Sequence, residues 1–320
     1  MHIVKRIFVS CFVSCFAVFC GLGCGLAHAS ITPWIDFQIV DGFIVIPTEI
    51  HGIKGHSVID TGAQLTGIAE SFVKKNNLQL TRSTPQRILG VNANVTRKTY
   101  QDVPVTLMGA ELVFGRLVDL DLGDRPQLLI GADFLRTLYF QFDYPNKRLR
   151  AISREAFDLK KLSNVKSRVD TVSRLPMVQV RLNDEKNLWL AIDTGNSLGL
   201  LIKRGVAQKS GWLNEYAVEK MNTRGVAGVA GDAEMEMFRL PVLAIGPYNV
   251  RNAGVVVPSE GEVIPIFSSL RGGLRGRGKV QGLLGYDVLK NFIVTFDYRT
   301  GSMVLELPEE LEKGQRKTGG

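Results

Sequence analysis

Residues 57–64 read SVIDTGAQ, and 133 positions later residues 190–197 read LAIDTGNS. In each, a short run of mostly small and β-branched or aliphatic residues ends in Asp-Thr-Gly. One such tripeptide marks no more than a turn at a strand end. Two, in matching surroundings, mark a duplication. Residues 43–63 (FIVIPTEIHGIKGHSVIDTGA) resemble residues 176–196 (PMVQVRLNDEKNLWLAIDTGN). Both show an alternating apolar run, a turn and a second run that ends in the tripeptide, which is the pattern of a β-hairpin. A short helical pattern follows each, at 69–77 and 202–210.

A second pair of segments is closer still. Residues 128–144 (LLIGADFLRTLYFQFDY) align without a gap on residues 282–298 (GLLGYDVLKNFIVTFDY) at an offset of 154. Gly131, Asp133, Leu135, Phe142, Asp143 and Tyr144 match Gly285, Asp287, Leu289, Phe296, Asp297 and Tyr298. Each block then turns into a further strand pattern, at 146–152 and 301–307. Strand-rich content with glycine at the turns points to two β-barrel-like lobes. The expected organisation is a first lobe over 30–157, a polar, basic linker or crossover strand over 158–174, a second lobe over 175–309, and a tail over 310–320. The offset grows from 133 to 154, so the second lobe carries 21 extra residues. They are expected near 260–280, a stretch with Arg271, Arg275, Arg277 and Lys279 among glycines. Such a stretch reads as a solvated loop that tolerates insertion, or as a basic contact that selects substrates.

The first 29 residues stand apart. Lys5 and Arg6 precede the apolar run 7–20, and Ala27-His28-Ala29 offers a small-residue cleavage site. This is the pattern of a secretory signal peptide; left uncut, the run to Ala27 is long enough to anchor the chain in a membrane. The expected location is therefore the bacterial periplasm, with inner-membrane anchoring or secretion as alternatives. All four cysteines (Cys11, Cys15, Cys20 and Cys24) lie in this leader, so the remainder has no disulfide, thiolate nucleophile or cysteine metal site. With 45% hydrophobic and 22% charged residues, the chain has the composition of a globular protein with a real core. Without the leader its formal charge falls from +8 to +6. A modestly basic exported chain suits an acidic surface or substrate better than nucleic acid.

A pseudo-twofold axis relating the lobes would bring Asp60 face to face with Asp193. Two carboxylates about 3 Å apart share one proton. The ionised one can take a proton from water while the protonated one donates to a substrate carbonyl. Thr61 and Thr194 can cross-link the two loops. Gly62 and Gly195 allow close backbone approach, with their N–H groups toward the carboxylates.

On these motifs the chain resembles the pepsin/retropepsin superfamily of aspartic proteases, and most of all the single-chain bacterial retropepsin-like proteins, over most of residues 36–307. The resemblance implies an all-β, bilobal acid-protease fold with short helices. It implies catalytic roles for Asp60 and Asp193, supported by Thr61, Gly62, Thr194 and Gly195, with no metal and no organic cofactor. It also implies that Leu129-Ile130-Gly131-Ala132-Asp133 and Leu283-Leu284-Gly285-Tyr286-Asp287 pack behind the catalytic loops. The expected activity is peptide hydrolysis by a monomer acting on a protein or peptide, or on one dedicated envelope protein. The alternative is a catalytically silent scaffold that binds peptides. After the first motif stands Ala63, as in retropepsins, and after the second stands Asn196, where pepsin-like chains usually carry Ser or Thr. Without a hydroxyl donor the carboxylates should work at mildly acidic to neutral pH. Glycine-bearing flaps are expected at 88–95 and 224–232.

Gly195-Asn196-Ser197-Leu198-Gly199 imitates a serine-hydrolase elbow, but that elbow needs a later histidine. The only histidines are His2, His28, His51 and His56. With His51 and His56 alone beyond the leader and no cysteine there, a zinc hydrolase is disfavoured too.

Overall fold

The computed structural model describes residues 30–89, 94–123, 126–170, 174–196, 199–224, 232–262 and 280–309. The leader, the tail 310–320, half of the first flap segment (90–93), most of the second (225–231) and most of the basic stretch 260–280 lie outside the described residues.

The first lobe opens with β1 (Ile35–Asp36), β2 (Gln38–Val40), β3 (Phe43–Ile50) and β4 (Ile53–Ile59). Burial alternates along β3, with Ile44, Ile46, Thr48 and Ile50 inside and Phe43, Val45, Pro47 and Glu49 turned outward, the period-two pattern of a half-buried strand. His51 and Gly52 close the hairpin, both at positive φ (50° and 76°), as a two-residue primed turn requires. Then come β5 (Gly67–Ala69), α1 (Glu70–Lys75), β6 (Arg82–Leu89), β7 (Asn94–Tyr100), β8 (Val103–Leu107), β9 (Ala110–Phe114), β10 (Leu117–Leu120), β11 (Leu128–Ile130) and α2 (Ala132–Leu135). The hairpin of β12 (Tyr139–Asp143) and β13 (Arg148–Ile152) follows. Between the lobes run α3 (Leu159–Leu162) and β14 (Ser167–Val169), and β14 pairs with the next strand as part of the second sheet.

The second lobe repeats the order: β15 (Pro176–Leu182), β16 (Lys186–Ile192), β17 (Leu200–Ile202), α4 (Arg204–Lys209), α5 (Trp212–Glu215), β18 (Glu219–Arg224), β19 (Asp232–Ile245), β20 (Tyr248–Pro258), β21 (Gly282–Leu284) and α6 (Tyr286–Leu289). It closes with β22 (Ile293–Phe296) and β23 (Met303–Glu306). The 14-residue β19 is one strand where the first lobe has β7 and β8, and β20 likewise spans β9 and β10. Pairing of β15 with both β16 and β19 closes this sheet on itself, so it has no open side there.

The duplication is visible in the registers. β11 runs parallel to β4 with Leu128 opposite Ser57, and β21 runs parallel to β16 with Gly282 opposite Leu190. A third sheet, ordered β1-β13-β12-β22-β23, joins the lobes. One of its faces (Phe140, Phe142, Leu149, Val294, Phe296, Met303, Leu305) enters the main core.

The extra residues of the second lobe are not one insertion. From β7 to β10 the counterparts lie at an offset of 138 (Asn94 to Asp232, Leu120 to Pro258). Five of the 21 therefore enter before β19, where α5 has no counterpart and its fully buried Trp212 packs on Phe238. The rest lie between Pro258 and Gly282, the stretch expected from the sequence.

Candidate active site

Each Asp-Thr-Gly sits where a hairpin strand ends beside a parallel neighbour. The N–H of Asp60 donates to the Ile130 carbonyl at 3.1 Å, and that of Asp193 to the Leu284 carbonyl at 3.0 Å. The apolar strands β11 and β21 thus hold the two loops from behind. The loops meet across the pseudo-twofold. The Thr61 N–H donates to Thr194 Oγ1 (3.1 Å), and the Thr194 N–H donates to Thr61 Oγ1 (3.0 Å). Each hydroxyl in turn donates across the lobes, Thr61 to the Ile192 carbonyl and Thr194 to the Ile59 carbonyl, both at 3.0 Å. Four buried bonds therefore fix one loop against the other.

The carboxylates are brought together inside this clamp. The Gly62 N–H donates to Asp60 Oδ1 at 2.7 Å, and the Gly195 N–H to Asp193 Oδ1 at 2.9 Å. The Ala63 N–H adds a longer bond to Asp60 at 3.3 Å. A Cβ on Gly62 would lie 3.1 Å from Asp60 Oδ1 and 3.2 Å from Asp193 Oδ1. A Cβ on Gly195 would meet the same two oxygens at 3.3 and 3.2 Å, and Phe43 at 3.1 Å. Both glycines are needed for closeness rather than for unusual φ.

Burial raises the pKa of both carboxyls. For Asp60 the Gly62 and Ala63 N–H groups pull the other way. For Asp193 burial and then the charge of Asp60 push it up to about 7 against the Gly195 N–H. The pair thus holds one proton over a wide pH range. The Tyr298 hydroxyl, itself pushed upward by burial, donates to the Thr61 carbonyl and ties the second lobe's closing block to the first lobe's loop. Sequence reasoning found the repeated Phe-Asp-Tyr but not this contact, for which the repeat of Tyr144 in Tyr298 is the one available signal.

The loops behind the dyad differ between lobes. Asp133 accepts from the N–H and hydroxyl of Thr66 (2.8 and 2.5 Å), and Thr66 Oγ1 accepts from the Gly131 N–H. In the second lobe the registers put Leu200, which has no hydroxyl, in the place of Thr66, with Gly199 just before it at φ 78°, and Asp287 accepts from Lys290 at 2.8 Å instead. Asn196 is buried, and its amide donates to the Gly199 carbonyl at 3.2 Å. Of the two histidines beyond the leader, His51 is in the first hairpin turn and His56 is exposed on β4.

One cavity of about 700 Å3 opens on the outward face of the first hairpin. Phe43, Val45, Val58, Leu122 and Leu129 form its apolar walls, with Gln38, Asp41 and His56 also lining it. Phe43 places it at the dyad, because its ring lies against Gly195.

Residues 46–134, most of the first lobe, match the aspartyl protease family. Among solved structures, the chain is similar to the aspartic proteinase from Irpex lacteus, with a TM-score of 0.54 and 11% identity. That likeness covers 88% of this chain and 98% of the other, and shows the fold. A search of curated protein sequences gives no match. By the family signature in its first lobe and the bilobal fold of the whole, the chain is similar to pepsin/retropepsin-like aspartic proteases.

Proposed function

We propose that the chain is an exported aspartic endopeptidase whose Asp60 and Asp193 share one proton and activate water. The observation that carries this reading is the pair of carboxylates, Asp193 buried and Asp60 half-buried, held together between two lobes and locked by the reciprocal Thr61–Thr194 bonds. Such a like-charged pair is costly to bury, and folding alone has no use for it. The ionised carboxylate takes a proton from water as its oxygen attacks the peptide carbonyl carbon. The protonated partner gives its proton to the carbonyl oxygen, and a neutral diol forms. As the C–N bond breaks, a diol hydroxyl returns its proton to one carboxylate, and the leaving nitrogen takes the proton held by the other. Residues 61, 62, 194 and 195 position the pair. The chemistry asks for no metal and no organic cofactor.

The substrate is a protein or peptide that lays an apolar side chain into the cavity walled by Phe43, Val45, Val58 and Leu129. The leader supports action in the periplasm. A single chain supplies both halves of the site, which supports a working monomer.

The test is cleavage of a diverse peptide library by the purified chain from about pH 3 to 8, beside Asp60→Asn and Asp193→Asn. Cleavage by the parent, with a loss of about a thousandfold or more in each folded variant, is expected. A folded parent that cuts nothing, on the library or on periplasmic protein, would favour the peptide-binding scaffold.

A further inference from the structure

The two lobes present opposite surfaces to the dyad. Lobe registers pair Val45 with Val58 on one side and Met177 with Ala191 on the other. This makes Met177 the counterpart of Val45 and Ala191 that of Val58. Two residues earlier, just before β15, Leu175 answers to Phe43. At the offset of the second repeat, Val280 answers to Pro126 and Leu283 to Leu129.

In the first lobe all five positions are half-buried and all five line the cavity. In the second lobe all five are buried: Leu175 is 6% exposed, Val280 is 1%, and Met177, Ala191 and Leu283 are 0%. They form a cluster of their own, joined by the fully buried Met235 and packed by Trp189, Met221 and Met237. The space that is open in one lobe is filled with side chains in the other. Methionine suits this filling, since its unbranched side chain adapts to irregular gaps.

We infer that peptide recognition at this dyad is one-sided, with a large apolar side chain seated in the first-lobe cavity on one flank of the scissile bond and no matching pocket on the other. The inference rests on the peptidase reading and deepens it. An apolar side chain that leaves water for the cavity gains free energy in proportion to the area it buries. On the other flank, among the described residues, the wall of Met177, Leu175 and Val280 leaves no such area to gain. Selectivity there falls to backbone contacts and to exclusion of bulk.

The test is the cleavage-site profile of the purified chain on a peptide library randomised on both flanks. Large apolar residues should be enriched about tenfold or more at one position on one flank. The facing position on the other flank should be nearly flat. Equal enrichment on both flanks would overturn the inference. A paired variant, Met177→Ala with Met235→Ala, should raise acceptance of leucine and phenylalanine on the silent flank severalfold. If that variant does not fold, the parent profile still decides.

If the parent cuts nothing, the peptidase reading fails and the inference is read from binding. Hydrogen exchange of Asp193→Asn with the same library in excess should show protection confined to residues 38–58 and 126–130. Equal protection of 175–191 and 280–284, or protection of neither, would overturn it.

Discussion

Gln141 and Thr295 meet on the pseudo-twofold axis: the Gln141 amide donates to Thr295 Oγ1 at 2.8 Å. They are the one pair of β12 and β22 that the 154-residue offset maps onto itself, with Phe140–Phe296 and Phe142–Val294 exchanged on either side. The same axis passes between Asp60 and Asp193. Gln141 also accepts from Arg150 Nε at 2.7 Å, so its amide is used at both ends. Gln141→Leu leaves a buried hydroxyl and a half-buried guanidinium short of partners. Each stranded group costs about 1–3 kcal/mol. Because the sheet belongs to both lobes, urea unfolding should shift to lower denaturant as one transition. Tryptophan fluorescence (Trp189 and Trp212 in the second lobe) and far-UV circular dichroism should move together. Two separated transitions would show that β12 and β22 do not couple the lobes.

The threonine clamp makes a sharper prediction, because Val replaces Thr with little change in volume. Thr61→Val removes the oxygen that accepts from the Thr194 N–H and donates to the Ile192 carbonyl. Both partners are buried, so several kcal/mol of stability should go, at about 1–3 kcal/mol for each. Thr194→Ser keeps the hydroxyl and should stay within about 1 kcal/mol of the parent. In peptide cleavage, Thr61→Val should lower kcat with KM little changed, since the cavity that holds the substrate is untouched. A rise in KM at constant kcat would mean that the clamp shapes binding rather than the carboxylates.

The duplicated hairpins, the short helices at α1 and α4 and the block ending in Phe-Asp-Tyr are all readable from sequence, because each is written in a local run of residues. Asp60 and Asp193 come with them, since the tripeptides mark their own place. What escapes sequence reading is set by register and by distant packing. A three-residue turn, closing Leu182 on Lys186, displaces β15 by one residue against β3, and this alone decides that Met177 rather than Pro176 faces the dyad side. The split of the 21 extra residues depends on β19 and β20 running as long single strands, which no local pattern announces. The Tyr298–Thr61 bond spans 237 residues.

The asymmetry behind the two loops also has a direction. Gly199 precedes Leu200, the counterpart of Thr66, and a Cβ on Gly199 would lie 2.6 Å from Asp287 Cβ at a φ of 78°. Gly199→Thr should therefore destabilise by clash and by positive-φ strain, together about 2 kcal/mol or more. Thr66→Ala should also destabilise, by stranding the Gly131 N–H and removing one donor to Asp133. Thermal unfolding of both variants measures this, and a Gly199→Thr protein as stable as the parent would show that the loop can move away from Asp287.

The dyad ties stability to pH with a definite sign. Asp193 is pushed up to about 7 in the fold, from 3.8 for an unburied side chain. Between these values the folded state holds a proton that the unfolded state has lost. Stability from this group is therefore fully present below about pH 4 and is lost as pH rises toward 7, by a few kcal/mol in total. Asp193→Asn has no such proton, so its stability relative to the parent should grow over the same interval. The difference in urea midpoint between the two, followed from about pH 4 to 8, measures it, and a difference that stays flat or shrinks would refute the raised value. Activity should follow the same proton from the other side. Hydrolysis needs the pair singly protonated, so the rate should fall on the alkaline limb near pH 7 and on the acid limb once Asp60 is also protonated. The optimum then lies at mildly acidic pH, and an optimum below about 3 would mean that the buried pair is not the group that titrates in catalysis.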